Sequence, residues 1–392
     1  MVINKSSMKA LLLATCVLVV VSLSAIGCGQ QKVDTSKEVY KIGAVLSLSG
    51  PAAPLGQPEQ RAMMLLQDQL NAGAGINGHK VEFIFEDDQS QPEMAKTAIT
   101  KLINTEKVPG VLGSSSTGAT LAMAPVAQSS KIPMICCAAG TKITSPVMSY
   151  VFRTPPTDAM AITKVLQYLK AQNIKQIAIL HDANAFGTGG ADELQAKASK
   201  YGVKVVARES YGSTDTDMTA QLTKIKGTPA EAVVVWGTNP GPASIAKNMQ
   251  QLQMTIPFIG SHGIANQKFI ELAGEAANGV IFPAGKLLVW QGLAESDPQK
   301  AVLKAYAESF QAKYGRSADT FGGHAYDALS MLVKALEQAG GDKAKIRDAL
   351  ESVKGFVGTG GVFNMSATDH NGLGKGAFVM IVIKDGKWSL AD

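Results

Sequence analysis

Apolar positions along the chain fall into two alternating rhythms. Short runs at residues 40–46, 81–85, 111–112 and 132–136 read as buried strands. Between them lie stretches whose apolar residues recur at helical spacing. The clearest is Ala95, Ala98, Ile99, Leu102 and Ile103, and others cover residues 59–70 and 117–128. The sequence NAGAGING at 71–78 stops the first helix with glycines.

After a crossing segment around Tyr150–Thr154 the alternation restarts at Asp158. Strands are predicted at 177–180, 203–207, 232–236 and 258–259, with helices between them. Beyond Pro283 three amphipathic helices, near 301–314, 325–338 and 344–353, follow one another without strands. The chain ends in a predicted hairpin, 378–383 and 388–390, around Asp385 and Gly386, a pair suited to a tight primed turn. Repeated strand–helix units imply parallel sheets covered on both faces. The fold class is therefore α/β, with two doubly wound parallel-sheet lobes.

The amino terminus departs from both rhythms. Lys5 and Lys9 precede an apolar run over 10–26 that ends in small residues and Cys28, the layout of a secretory signal peptide over 1–27. The run falls slightly short of the roughly 20 apolar residues that span a bilayer. Ala25, Ile26, Gly27 and Cys28 resemble a bacterial lipobox, which makes Cys28 a lipidation candidate; an incidental thiol after ordinary cleavage is the alternative. Residues 28–38 are mostly polar and aperiodic, a tether between anchor and folded body. Without Lys5 and Lys9 the formal charge of +5 becomes +3, which offers no surface for nucleic acid. About 360 residues remain, more than one core comfortably holds.

Chemistry is sparse. Cys136 and Cys137 are adjacent in an apolar strand, unsuited to a disulfide framework. Asp87 and Asp88 end a strand, yet no acid or histidine pair elsewhere has helpful metal-ligand spacing, so neither metal nor cofactor is expected. A Gly-x-Ser-x-Gly elbow is absent, and the Gly-x-Gly-x-x-Gly letters at 73–78 stand between a helix and a strand, the reverse of a dinucleotide site. Catalysis is not expected. The informative stretch is Ser114, Ser115, Ser116 and Thr117, between a strand and a helix. One serine would suffice as an N-cap; several hydroxyls with free N–H groups at a positive dipole end make an anion site. Ser114 is the foremost candidate.

Taken in order, several stretches carry a family resemblance: Ile42 and Gly43 through Leu48, Ser49, Gly50 and Pro51; NAGAGING at 71–78; Asp87 and Asp88; Gly113 to Thr117; Phe152, Arg153 and Thr154; His181 and Asp182. From Tyr40 to the end the chain resembles the periplasmic leucine/isoleucine/valine-type solute-binding proteins of ATP-binding-cassette transporters, of the type I fold. The resemblance implies two lobes joined by a three-strand hinge, 39–156 plus 284–357 and 157–283 plus 358–392, that close on a ligand between them. It further implies a monomer that partners an inner-membrane permease with its ATPases. A sensor that docks on a membrane receptor shares every one of these features.

The same resemblance implies the site residues. The turn Ala138, Ala139, Gly140 and Thr141 corresponds to one that offers an ammonium a carbonyl and a Thr hydroxyl, but Gly140 stands where that Thr is expected. His262 replaces the family's ammonium-pairing Glu, and Ser261, His262 and Gly263 resemble the aromatic-acid-binding members. Phe186 corresponds to an aromatic over the ligand; Leu55 stands in place of an aromatic, Phe321 keeps one, and Asn239 adds a polar group. The expected ligand is a small carboxylate, amino acid or aromatic or keto acid. Arg153, in the crossing segment, is expected to hold backbone carbonyls or a neighbouring acid.

Overall fold

A computed structural model describes residues 38–391; the signal peptide, Cys28 and all of the tether but Glu38 lie outside the described residues. Five strands make the first sheet: β1 (Tyr40–Leu46), β2 (Val81–Asp87), β3 (Val111–Leu112), β4 (Met134–Cys136) and β5 (Val151–Arg153). All are parallel, in the order β2-β1-β3-β4-β5. Helices α1 (Ala53–Ala72), α2 (Pro92–Asn104) and α3 (Thr117–Ser129) alternate with the first four strands. Both faces of the sheet are covered: Ile42, Leu46 and Phe152 enter one apolar cluster, Val45, Val111 and Met134 another. That two-sided burial explains why these strands read as continuous apolar runs.

The second lobe contains α4 (Asp158–Ala171), β6 (Gln176–Asp182), α5 (Ala185–Ala198), β7 (Lys204–Tyr211), α6 (Thr219–Lys226), β8 (Ala232–Trp236), α7 (Gly241–Gln251), β9 (Phe258–Gly260), α8 (Gln267–Ala273) and β10 (Ile281–Ala284). Helices α9 (Lys300–Tyr314), α10 (Thr320–Ala339) and α11 (Lys343–Glu351) then return to the first lobe. A short ribbon, β11 (Phe356–Val357) and β12 (Val362–Phe363), precedes the hairpin β13 (Val379–Lys384) and β14 (Lys387–Leu390). The hairpin pairs antiparallel with β10 and completes the order β14-β13-β10-β9-β8-β6-β7.

The chain thus crosses between lobes three times: after β5, after β10 and before β13. The last crossing is later than the sequence suggests. Residues 358–377, assigned above to the second lobe, put Phe363, Met365, Leu373 and Ala377 into the first-lobe core. Polar ties hold them there: Asp327 of α10 accepts from Thr359 N and Gly360 N, and Asn371 Nδ2 donates to Pro155 O. Only at Phe378 does the chain join second-lobe packing.

Helix α1 begins earlier than its apolar periodicity indicates, because Pro54 suits a first turn. Pro58, one turn later, has no N–H for the carbonyl of Pro54. Asn266 Nδ2 of the second lobe donates to that carbonyl instead, at 3.1 Å, so a local sequence feature becomes an interlobe contact.

Candidate functional site

Between the lobes lies a cavity of about 280 Å³ at the carboxyl ends of both sets of strands, the place where open parallel sheets bind ligands. Of the residues expected there, Leu55, Ser115, Ser116, Ala139 and Phe321 line it from the first lobe and Phe186, Asn239 and His262 from the second. Ser114, Ala138, Gly140 and Thr141 do not line it.

Ser114 is the main correction. Its side chain is fully buried, its hydroxyl donates to Asp88 Oδ2 at 2.7 Å, and it accepts from Ser116 N at 3.1 Å. The hydroxyl is committed to shaping the loop. Ser115 and Ser116 face the cavity: Ser115 Oγ is hydrogen-bonded to Glu59 Oε1, and Ser116 caps α3 by accepting from Ala119 N. Thr117 also lines the cavity, and its buried Oγ1 has no hydrogen-bond partner.

The turn at 138–141 is likewise engaged. Arg153, 1 % exposed, donates through Nη1 to the carbonyls of Ala139 and Gly140 at 2.9 and 2.8 Å. Ala138 is buried beneath them. Thr141 Oγ1 donates to Glu193 Oε2 of α5 at 2.7 Å, which makes it a lobe-to-lobe contact. A Cβ on Gly140 would lie 2.5 Å from Thr117 Cγ2, so a side chain there requires Thr117 or the turn to shift. Both carbonyls of this turn thus already accept from a guanidinium, and the Thr141 hydroxyl is turned toward Glu193.

Opposite stands His262, ringed by Phe186 (centroids 5.4 Å apart, edge-on), Trp236 (5.9 Å) and Phe378 (5.5 Å). Burial first, then His324 and Arg153, push its pKa down to about 3, so the imidazole is neutral. Asp158 lies 3.5 Å from its Nε2, and burial lifts that carboxyl to about 8 against the pull of Arg153. With the imidazole neutral, the contact is no ion pair near pH 7. Both ring nitrogens of His262 lack hydrogen-bond partners, as do Asn239 Oδ1 and Nδ1 of His324. His324, another cavity residue the sequence reading missed, is three residues from Phe321 on the same face of α10, a spacing that could have revealed it. Its pKa is also pushed down to about 3 by burial. Asp182 lines the cavity with its Oδ1 taken by Ser213 Oγ and Asn184 N. Among the described residues no cluster of acids, histidines and cysteines could hold a metal.

A family model for periplasmic binding proteins matches residues 39–387. The chain belongs to this family. A leucine-, isoleucine-, valine-, threonine- and alanine-binding protein of Pseudomonas aeruginosa is 26% identical over 318 residues, 80% of this chain and 83% of that protein. An extracellular ligand-binding receptor from Rhodopseudomonas palustris superimposes with a TM-score of 0.85 at 27% identity, covering 91% of this chain and 100% of that one. LivJ of Streptococcus pneumoniae, solved with isoleucine, gives 0.80 at 28%, covering 90% and 98%. The fold is that of type I periplasmic binding proteins, and the relatives are solute-binding proteins rather than enzymes. Membership implies an exported, periplasmic location.

Proposed function

We propose that this protein is the solute-binding component of an ATP-binding-cassette importer, tethered through Cys28, and that it captures a small carboxylate lacking an α-ammonium. The carboxylate docks at Ser115, Ser116 and Thr117, where hydroxyls and the amino end of α3 converge. An aromatic or keto acid extends toward Phe186 and His262.

One observation carries the second half of this reading: at the turn and the histidine where an ammonium would be held, the carbonyls already accept from a guanidinium and no acid stands in the histidine's place, Asp182 being the one acid among the described residues that lines the cavity. Arg153 occupies the Ala139 and Gly140 carbonyls, and His262 is neutral. Replacing an ion-pair partner by a neutral group in a desolvated cleft costs several kcal/mol of affinity for a charged ligand, about 2–5 kcal/mol in comparable truncations. Relatives named for leucine, isoleucine and valine make the amino acids the natural controls.

Isothermal titration of the mature protein with matched pairs, leucine against 4-methyl-2-oxopentanoate and phenylalanine against phenylpyruvate, together with benzoate, tests it. The keto or aromatic acid is expected to bind more tightly in each pair. Binding of leucine or valine alone would overturn the assignment.

A further inference from the structure

Behind the cavity wall sits a buried acid with one unpartnered oxygen. Glu59, in the first turns of α1, is fully buried, and its Oε2 has no hydrogen-bond partner. Its Oε1 is bonded to Ser115 Oγ, and Cys137 Sγ is a second neighbour. Both Ser115 and Cys137 line the cavity.

A serine hydroxyl owns one hydrogen. If Glu59 were a carboxylate it would take that hydrogen, and Ser115 would meet an incoming anion with lone pairs. If Glu59 carries its proton on Oε1, it donates to Ser115 Oγ, and the Ser115 hydrogen is free to turn into the cavity. Which arrangement holds depends on the charges that act on Glu59. Those are Asp88 after β2 and Asp319 at the start of α10, both acids, while the thiol of Cys137 is itself pushed far toward its neutral form by burial. None is a cation. A buried carboxyl without one takes up a proton rather than remain charged. Burial, reinforced by those two acids, raises the Glu59 pKa well above the usual carboxylate range, against the opposing pull of Ser115 and Cys137.

We propose that Glu59 is a positioning residue: protonated, it donates to Ser115 Oγ and thereby aims the Ser115 O–H at the ligand, making the serine loop a donor surface selective for carboxylates. The proposal rests on the docking of a carboxylate at that loop, but its first test needs no ligand.

In infrared difference spectra at pH 7, wild type minus Glu59→Gln should show the carbonyl stretch of a protonated carboxylic acid. Ser115→Ala should shift that band toward a weaker hydrogen bond. Absence of the band, or a band indifferent to Ser115→Ala, overturns the proposal even if Glu59→Gln proves too unstable for binding work, because the Ser115→Ala difference alone displays a Glu59 band that moves.

The second arm uses whichever of benzoate, phenylpyruvate and 4-methyl-2-oxopentanoate binds wild type. Glu59→Gln, whose amide donates to Ser115 as the acid does, should retain affinity within about threefold. Glu59→Ala should lose about tenfold or more, the scale of a hydrogen bond to a charged group. A Glu59→Gln protein that folds yet binds as poorly as Glu59→Ala overturns the donor role. If wild type binds none of these acids while the infrared band behaves as expected, the ligand class is wrong and the orientation of Ser115 stands.

Discussion

At the scale of single residues, burial displaces the pKa values of several ionisable groups in and around the cleft, which ties stability to pH. Asp158, fully buried, has its pKa raised from 3.8 to about 8, and Asp319 and Asp327 are raised to about 7. Each binds its proton more tightly folded than unfolded, so each contributes stability at low pH that is lost as pH rises through its folded value. His262 and His324 act oppositely: lowered from 6.5 to about 3, they favour the folded protein above 6.5 and cost stability as pH falls toward 3. Between pH 6.5 and 8 the histidines lose only their remaining charge in the unfolded chain while all three acids stay more protonated in the folded protein, so the acids outweigh them and the melting temperature of the unliganded protein should fall across that interval. Asp158→Asn should lessen the fall, with its melting temperature relative to wild type higher at pH 8 than at pH 6 by scanning calorimetry. An unchanged difference would mean that Asp158 is ionised in the folded protein.

Among the elements, the start of α3 and the turn after β4 constrain each other. Thr117, nearly buried and stiff at its branched Cβ, stands where any side chain at Gly140 would project. Gly140→Ala should therefore destabilise the protein by about 1–3 kcal/mol, the usual cost of overpacking, read as a lower urea midpoint at constant slope. A neutral result would show that the turn can shift away from α3. That mutual constraint was illegible in sequence because the two residues are remote along the chain and meet only when β3 and β4 lie side by side. Ser114 escaped for the same reason. Its serine-rich setting marks an anion site, but which hydroxyl faces outward depends on Asp88, brought over from the end of β2.

The whole molecule is two lobes in direct contact across the cleft. Thr141 Oγ1 reaches Glu193, Asn266 Nδ2 reaches Pro54 O, and Thr320 Oγ1 donates to Ala265 O at 3.1 Å. Such bonds exist only when the lobes are together, so each shifts the balance toward closure, and a ligand that needs closure binds in proportion to the closed population. Thr141→Val, which keeps the shape and removes the donor, should weaken the best-binding carboxylate about three- to tenfold, from one hydrogen bond of about 0.5–1.5 kcal/mol. Titration calorimetry reads this directly; full affinity in the variant would assign closure to the remaining contacts and the ligand itself.

Strand and helix periodicity, glycine stops and caps are local properties, and they were enough for the two α/β halves, the order of most elements and the terminal hairpin. Aromatic and histidine positions after a strand or in the first turn of a helix were legible too: Phe186, His262 and Phe321 do line the cavity. Only the tertiary structure decided which polar groups remain available to a ligand. Residues 358–377 fold back on the first lobe, Arg153 occupies a turn, and Glu59 comes to lie behind Ser115 through contacts between segments far apart in the chain. Local pattern reports which face of an element is buried; hydrogen-bond partners and the protonation they impose depend on what other elements bring to that face.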